Sequence, residues 1–189
     1  MRSSRAGSRT KREEKTLDTI GSSIEQRLRI LEDREDIREL AATYCFLVDD
    51  GRFDELVDRC FTEDACCDFR GAGGGEQMAP SVSRGRAELR NFFTLMVPAA
   101  LRDMAHTVHN HRVSIDGDRA SGDCYFELTA VDRTSGEAVV GAGRYSDRYR
   151  RETGAWRFEM RNAAIFFIAP LREGWAKQRF LNALTQSSR

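Results

Sequence analysis

Apolar positions recur at intervals of three and four from Ile24 through Leu28, Leu31, Ile37, Leu40, Ala41 and Tyr44 to Val48. This period predicts an amphipathic helix, and the gap between residues 31 and 37 leaves open one long helix or two joined ones. Ser22, three residues before Glu25, has the capping-box pattern of a helix start. Asp49-Asp50-Gly51 ends the periodic stretch. Phe53, Leu56, Val57 and Cys60 predict a short helix over residues 53–60, and residues 65–69 read as a short strand. The segment 71–80 holds four glycines but no Gly-Lys-Ser/Thr, so it reads as a flexible loop or mobile hairpin rather than a phosphate loop. Leu89, Phe92, Phe93 and Met96 give a third helix over 85–97, which Pro98 ends or kinks.

From His106 onward the pattern reads as strand. Residues 106–115, 120–131, 138–150 and 155–168 form four long strands joined by Asp116-Gly117-Asp118, Thr134-Ser135-Gly136 and Thr153-Gly154. Such short links make neighbours antiparallel. Pro170 closes the last strand, and residues 175–184 are expected as a terminal helix anchored by Trp175, Phe180, Leu181 and Leu184. Helices followed by an antiparallel meander define the α+β class. A curved sheet with its concave face covered by the N-terminal helices would enclose an apolar pocket.

Composition narrows the functional classes. Lys+Arg and Asp+Glu are both 30, so the formal charge is zero and a basic nucleic-acid binder is not indicated. Mean hydropathy is −0.55 and no apolar run approaches the length of a membrane span. The five cysteines are odd in number and lack a Cys-x-x-Cys spacing, which fits reduced, mostly buried thiols in a cytoplasmic protein. Residues 1–22 are charged, lack an apolar signal core and are expected as a disordered polar tail. The domain then spans 23–170, with 171–189 a tail or helix. All three histidines, His106, His109 and His111, fall within six residues. On a regular strand His109 and His111 share one face and His106 the other. No third ligand has suitable spacing, so no metal site is expected, and His109 and His111 read as packing or solvent-side residues.

Four stretches together resemble a known family. They are Tyr44-x4-Asp49-Asp50-Gly51-x-Phe53; Cys60-Phe61-Thr62-Glu63-Asp64-Ala65; His106-x3-Asn110 followed by Asp116-Gly117-Asp118-x-Ala120; and Gly143-Arg144-Tyr145-Ser146-Asp147-x-Tyr149-x-Arg151-x-x-Gly154-x-Trp156-x4-Arg161. Their order and spacing, over residues 24–170, resemble the SnoaL-like family of the nuclear transport factor 2-like superfamily. That resemblance implies a cone-shaped, cystatin-like α+β fold. Within the family the likeness is to lyases: bile acid 7α-dehydratase, scytalone dehydratase and hexachlorocyclohexane dehydrochlorinase.

The resemblance implies an Asp–His dyad in a deep apolar pocket, with Asp49 and His106 at the dyad positions, Arg161 at the pocket arginine and Tyr44 at the tyrosine of the bile-acid enzyme. Asn110, Phe93 and Phe126 are expected to contact substrate. Histidine titrates in the physiological range and makes a serviceable base when a carboxylate fixes its tautomer. Arg161 or Tyr44 could donate to a departing oxygen or halide. Each also has a plain structural reading: Tyr44 as core, Arg161 as the ion-pair partner of Glu159 or Asp147. Regular strand parity sets Arg161 opposite Trp156, Phe158 and Met160, unless a bulge intervenes. Tyr44 and Asp49 stand about 140° apart on a regular helix.

The expected function is a cofactor-independent lyase, of dehydratase or dehydrohalogenase type, or an isomerase acting on a cyclic, mostly apolar small molecule. The alternatives are a non-catalytic scaffold like the β subunit of a ring-hydroxylating dioxygenase, or a small-molecule-binding protein. No nucleic-acid or membrane partner is expected. The apolar run Ile165, Phe166, Phe167 and Ile168 suggests a homodimer or homotrimer through the outer sheet face, with the terminal helix at the interface.

Overall fold

A computed structural model describes residues 6–71 and 81–174, with side chains over 23–69 and 82–174. One continuous helix, α1, runs Ala6–Asp49. The gap in the apolar pattern does not break it, and Ser22 lies inside it rather than capping it. Its backbone also passes through the segment expected as a disordered tail, where the run Lys11-Arg12-Glu13-Glu14-Lys15 favours helix. What changes at the gap is the face. Ile37, Leu40, Ala41, Tyr44, Cys45 and Val48 are buried, whereas Ile24, Leu28 and Leu31 are more than half exposed.

Gly51, at φ +70°, turns the chain out of α1 into α2, Phe53–Cys60, as expected. β1, Phe61–Gly71, follows directly and is longer than the expected strand. β2, Ser81–Arg84, pairs antiparallel with it, from Cys66 opposite Arg84 to Phe69 opposite Ser81. Residues 72–80 of the glycine-rich segment lie outside the described residues. The third helix begins as α3, Gly85–Asn91, widens to a π-helical turn over Phe92–Met96 and continues as α4, Val97–Ala100. Pro98 does not end the helix, which runs on to Ala100, and the π-helical turn lies immediately before it.

β3 (Leu101–Asp116), β4 (Arg119–Asp132), β5 (Ala138–Glu152) and β6 (Ala155–Pro170) form the meander. The six-stranded sheet has the order β2-β1-β6-β5-β4-β3. It is mixed rather than wholly antiparallel, since β1 joins β6 in parallel. α1 packs along β3 and β6. The expected terminal helix over 175–184 lies outside the described residues.

The interior on the α1 side is packed with aromatic rings around Tyr44. Tyr44 meets Phe61, Phe93, Tyr145 and Phe158 edge-on at centroid distances of 5.8–6.2 Å. Edge-to-face contact suits the ring quadrupoles, and full burial of such a side chain is worth about 2–3 kcal/mol. Half-buried apolar residues gather instead beside His106: Leu101, Met104 and Ile168 around Leu128, Ala130 and Val139. α1 is pinned within its length by Asp33, which accepts from Arg151 at 2.5 Å and from the Trp156 indole at 3.2 Å. The run Ile165–Ile168 is half-buried throughout in the single chain.

Candidate active site

Asp49 is the last residue of α1, and His106 lies on β3 opposite Leu128 of β4. The two side chains meet. Asp49 Oδ1 lies 2.5 Å from His106 Nδ1, and Asp49 Oδ2 accepts the His106 backbone N–H at 2.8 Å. The side chains are only 17% and 11% exposed. An ionised carboxylate can only accept, so Nδ1 carries the ring proton and Nε2 keeps its lone pair when the ring is neutral. Among the described residues Nε2 has no hydrogen-bond partner. Met104 and Val108 flank His106 on the same half-buried face of β3.

Tyr44 and Arg161 are also brought together, in a second cluster. The Arg161 guanidinium lies 4.2 Å from the Tyr44 ring centroid, 4.0 Å from that of Tyr145 and 3.9 Å from that of Phe158. Asp147 clamps it with bonds from Nε at 3.1 Å and Nη2 at 2.9 Å, while Nη1 is buried without a hydrogen-bond partner. Burial alone would lower the Arg161 pKa, but the Asp147 charge and hydrogen bonds outweigh it and hold the group cationic. Burial pushes the Tyr44 hydroxyl well above the usual phenol range, against the pull of Arg161, so it stays protonated. Arg161 reaches the interior because β6 carries a bulge: Arg148 faces Met160 and Tyr149 faces Phe158, leaving Glu159 as the extra residue. That extra residue puts Arg161 on the same face as Trp156 and Phe158.

A second bulge re-sorts the histidines. His109 faces Tyr125 and Arg112 faces Asp123, so β3 has one residue too many, and Asn110 takes φ +55°. His111 therefore joins His106 on the inner face, and His109 alone points outward, 4.0 Å from Glu127 and 41% exposed. His111 Nε2 lies 3.1 Å from the Tyr149 hydroxyl, which donates to Asp147 at 3.1 Å. That hydroxyl has one proton, already given to Asp147, so His111 donates its Nε2–H to the phenolic oxygen. The chain His111–Tyr149–Asp147–Arg161 is a functional candidate that spacing did not single out. Its signal was the alternation of Tyr145, Asp147 and Tyr149 on one face of β5.

The three expected substrate contacts separate. Asn110 is exposed at the bulge, at φ +55°. Phe93 is buried among Tyr44, Phe53, Phe61 and Phe92. Phe126 alone stands between the two clusters. It is opposite Val108 on β3, it stacks on Tyr145 at 4.4 Å, and its ring lies over Gly143, where a Cβ would come within 2.5 Å of it. An open depression of about 500 Å³ lies on the other face of the sheet, lined by Cys66, Asp68, Val82, Arg84, Met160 and Asn162. It shares no residue with the dyad.

Comparison with known proteins places this architecture in a family. Residues 29–162 match the SnoaL-like domain, and the chain belongs to that family. An uncharacterized protein of Mycobacterium tuberculosis strain H37Rv is 32% identical over 131 residues, covering 67% of this chain and 81% of that one. Among solved structures, the hexachlorocyclohexane dehydrochlorinase LinA-type3 of Novosphingobium barchaimii superposes with a TM-score of 0.64 at 21% identity, over 76% of this chain and 93% of that one. An NTF2-like protein with a cystatin-like fold from Novosphingobium aromaticivorans gives a TM-score of 0.58 at 27% identity, over 85% and 96%. A third structure, assigned as an aromatic ring hydroxylase of Novosphingobium aromaticivorans, gives 0.62 at 31% identity, over 76% and 96%. The fold is therefore the NTF2-like, cystatin-like α+β fold. Among the described residues no helix is long and apolar enough to cross a membrane.

Proposed function

We propose that the protein is a cofactor-independent lyase, eliminating water or halide from a cyclic, mostly apolar small molecule, or an isomerase that begins with the same proton abstraction. The observation that carries this reading is the double contact from Asp49 to His106. It leaves Nε2 as a free base on a half-buried, apolar face. Nε2 takes a proton from a substrate C–H. The electrons of that bond form the double bond, and the leaving group departs with its own bonding pair. Asp49 stabilises the imidazolium that results. A positioned base of this kind contributes roughly 10²–10⁴ in rate. Tyr44, kept protonated, and Arg161, paired with Asp147, stay buried behind Phe126 and back the site without touching the leaving group. The dehydrochlorinase among the structural neighbours agrees with this chemistry.

The test is to assay chloride release from hexachlorocyclohexane isomers and water loss from cyclic β-hydroxy ketones. The wild type should turn over at least one of these, and His106→Ala should lower kcat by about 10²–10⁴-fold with the fold intact. Turnover that survives both His106→Ala and Asp49→Asn rejects the mechanism.

A second reading is favoured by the 31% identity to the structure assigned as an aromatic ring hydroxylase. In it the chain is a non-catalytic scaffold like a dioxygenase β subunit. Obligate co-purification with a large Rieske-type subunit, and no turnover by the isolated chain, would decide for it.

A further inference from the structure

The N-terminal half of α1 carries an apolar stripe that its own domain does not use. Ile24, Leu28 and Leu31 are 57%, 53% and 59% exposed, and residues 23–29 are exposed all round. At 100° per residue this stripe stands roughly 150° around the helix from the core face formed by Ile37, Leu40, Ala41, Tyr44 and Val48. The domain first grips the helix at Asp33. A helix that projects this far without support is marginal alone. Gly174, the last described residue, bonds back to Pro170 at the end of β6 remote from Trp156, the strand end that meets Asp33, so the chain after it starts away from the stripe.

The stripe has coiled-coil spacing. Ile24 and Leu31 fall at d, Leu28 at a, and by sequence Leu17 falls at the preceding d. The flanking charges then choose a partner. Arg27 is at g and Glu32 at e, both exposed. In a parallel pair of identical helices each g residue faces the following e residue of the other copy, so Arg27 meets Glu32 twice, once from each side. In an antiparallel pair g faces g and e faces e, which sets Arg27 against Arg34 and Glu32 against Glu25 when Leu28 lies opposite Leu31. We propose that the segment of α1 before Asp33 pairs in parallel with the same segment of a second copy of this chain. The inference does not depend on the lyase reading, since none of these residues touches the dyad.

Sedimentation of the full chain over a range of concentrations and salt tests it. The wild type should form a dimer that weakens as salt rises. Leu28→Glu, on an exposed position that leaves the domain folded, should raise the dimer dissociation constant on the order of 100-fold. Arg27→Glu and Glu32→Arg should each weaken self-association about tenfold, while an equimolar mixture of the two, and the double variant, should recover it. A monomer at every concentration, or an oligomer that Leu28→Glu leaves unchanged, overturns the proposal. Single charge reversals without effect, or with tighter association, overturn it too, because in an antiparallel pair each reversal would replace a like-charge contact with an opposite one.

Discussion

Asp49 holds His106 by two atoms at once: Oδ1 on the ring Nδ1 at 2.5 Å and Oδ2 on the backbone N–H at 2.8 Å. One carboxylate at the end of α1 thus fixes both the tautomer of the ring and the place of β3 beneath it. Asp49→Asn cannot satisfy both contacts, because turning the amide oxygen to either N–H leaves its NH₂ facing the other donor. The expected result is a fall in kcat on the order of 10²-fold or more with little change in KM. A measurement independent of substrate accompanies it. Nitrogen NMR of His106 at neutral pH should show the Nδ1–H tautomer in the wild type and a mixture in the variant. A unique tautomer in both would show that Asp49 does not set it.

Phe126 defines how deep a substrate can go. Its ring lies over Gly143 and against Tyr145, between the row that carries His106 and the row that carries Arg161. Phe126→Ala should open the way toward Tyr44 and Arg161, at a stability cost of about 3–5 kcal/mol. The ratio of kcat/KM for a bulkier over a smaller substrate should rise by about tenfold or more. Gly143→Ala presses on the same ring and on the Ala164 carbonyl oxygen, each within 2.5 Å of the new Cβ, and should destabilise by about 1–3 kcal/mol. An unchanged substrate ratio in Phe126→Ala would remove Phe126 from the site.

The strands, the short helix and the contact of Asp49 with His106 were legible because each rests on a local signal: turn residues between strands, a helical apolar face, and motif positions shared with a family. The direction of side chains after a bulge was not. A single extra residue near Asn110 moves His111 to the interior, and one at Glu159 brings Arg161 inside, yet neither sequence stretch carries a glycine or proline to announce it. Bulges are set by how β3 and β6 must bend around α1, a tertiary demand. The exposed Ile24, Leu28 and Leu31 show the same limit. Their spacing matches the core residues that follow, and only the six-residue step to Ile37 betrays that they face elsewhere.

Asp147 and Arg161 are both fully buried, so their pairing should dominate the stability of this part of the core. Arg161→Met leaves Asp147 with the Tyr149 hydroxyl alone, and Asp147→Leu leaves the cation among rings. Each should cost about 3–5 kcal/mol in chemical denaturation. The double variant removes both charges and should cost clearly less than the sum of the two. Strict additivity would show that the pair is not energetically coupled.

His111 should make folding sensitive to acid. Burial is the main cause that lowers its pKa, with Arg161 and Arg38 adding to it and Asp147 and Asp123 opposing. The sign follows from the two protonation states. A histidine with a depressed folded pKa is neutral in the fold where the unfolded chain still binds a proton. Its contribution is therefore complete above the unfolded value, near pH 6.5, and is lost as pH falls through the folded value. His111→Gln keeps an N–H donor for the Tyr149 oxygen and does not titrate. Unfolding free energies measured at pH 7.5 and pH 5.5 should fall more steeply in the wild type than in the variant. The difference can reach at most about 1.4 kcal/mol per pH unit, the limit for one proton. Other carboxylates titrate equally in both proteins and cancel in that difference. Parallel pH profiles for the two would mean that His111 carries its proton in the fold as readily as in the unfolded chain, and would contradict its place at the end of the Tyr149–Asp147–Arg161 chain as an uncharged donor.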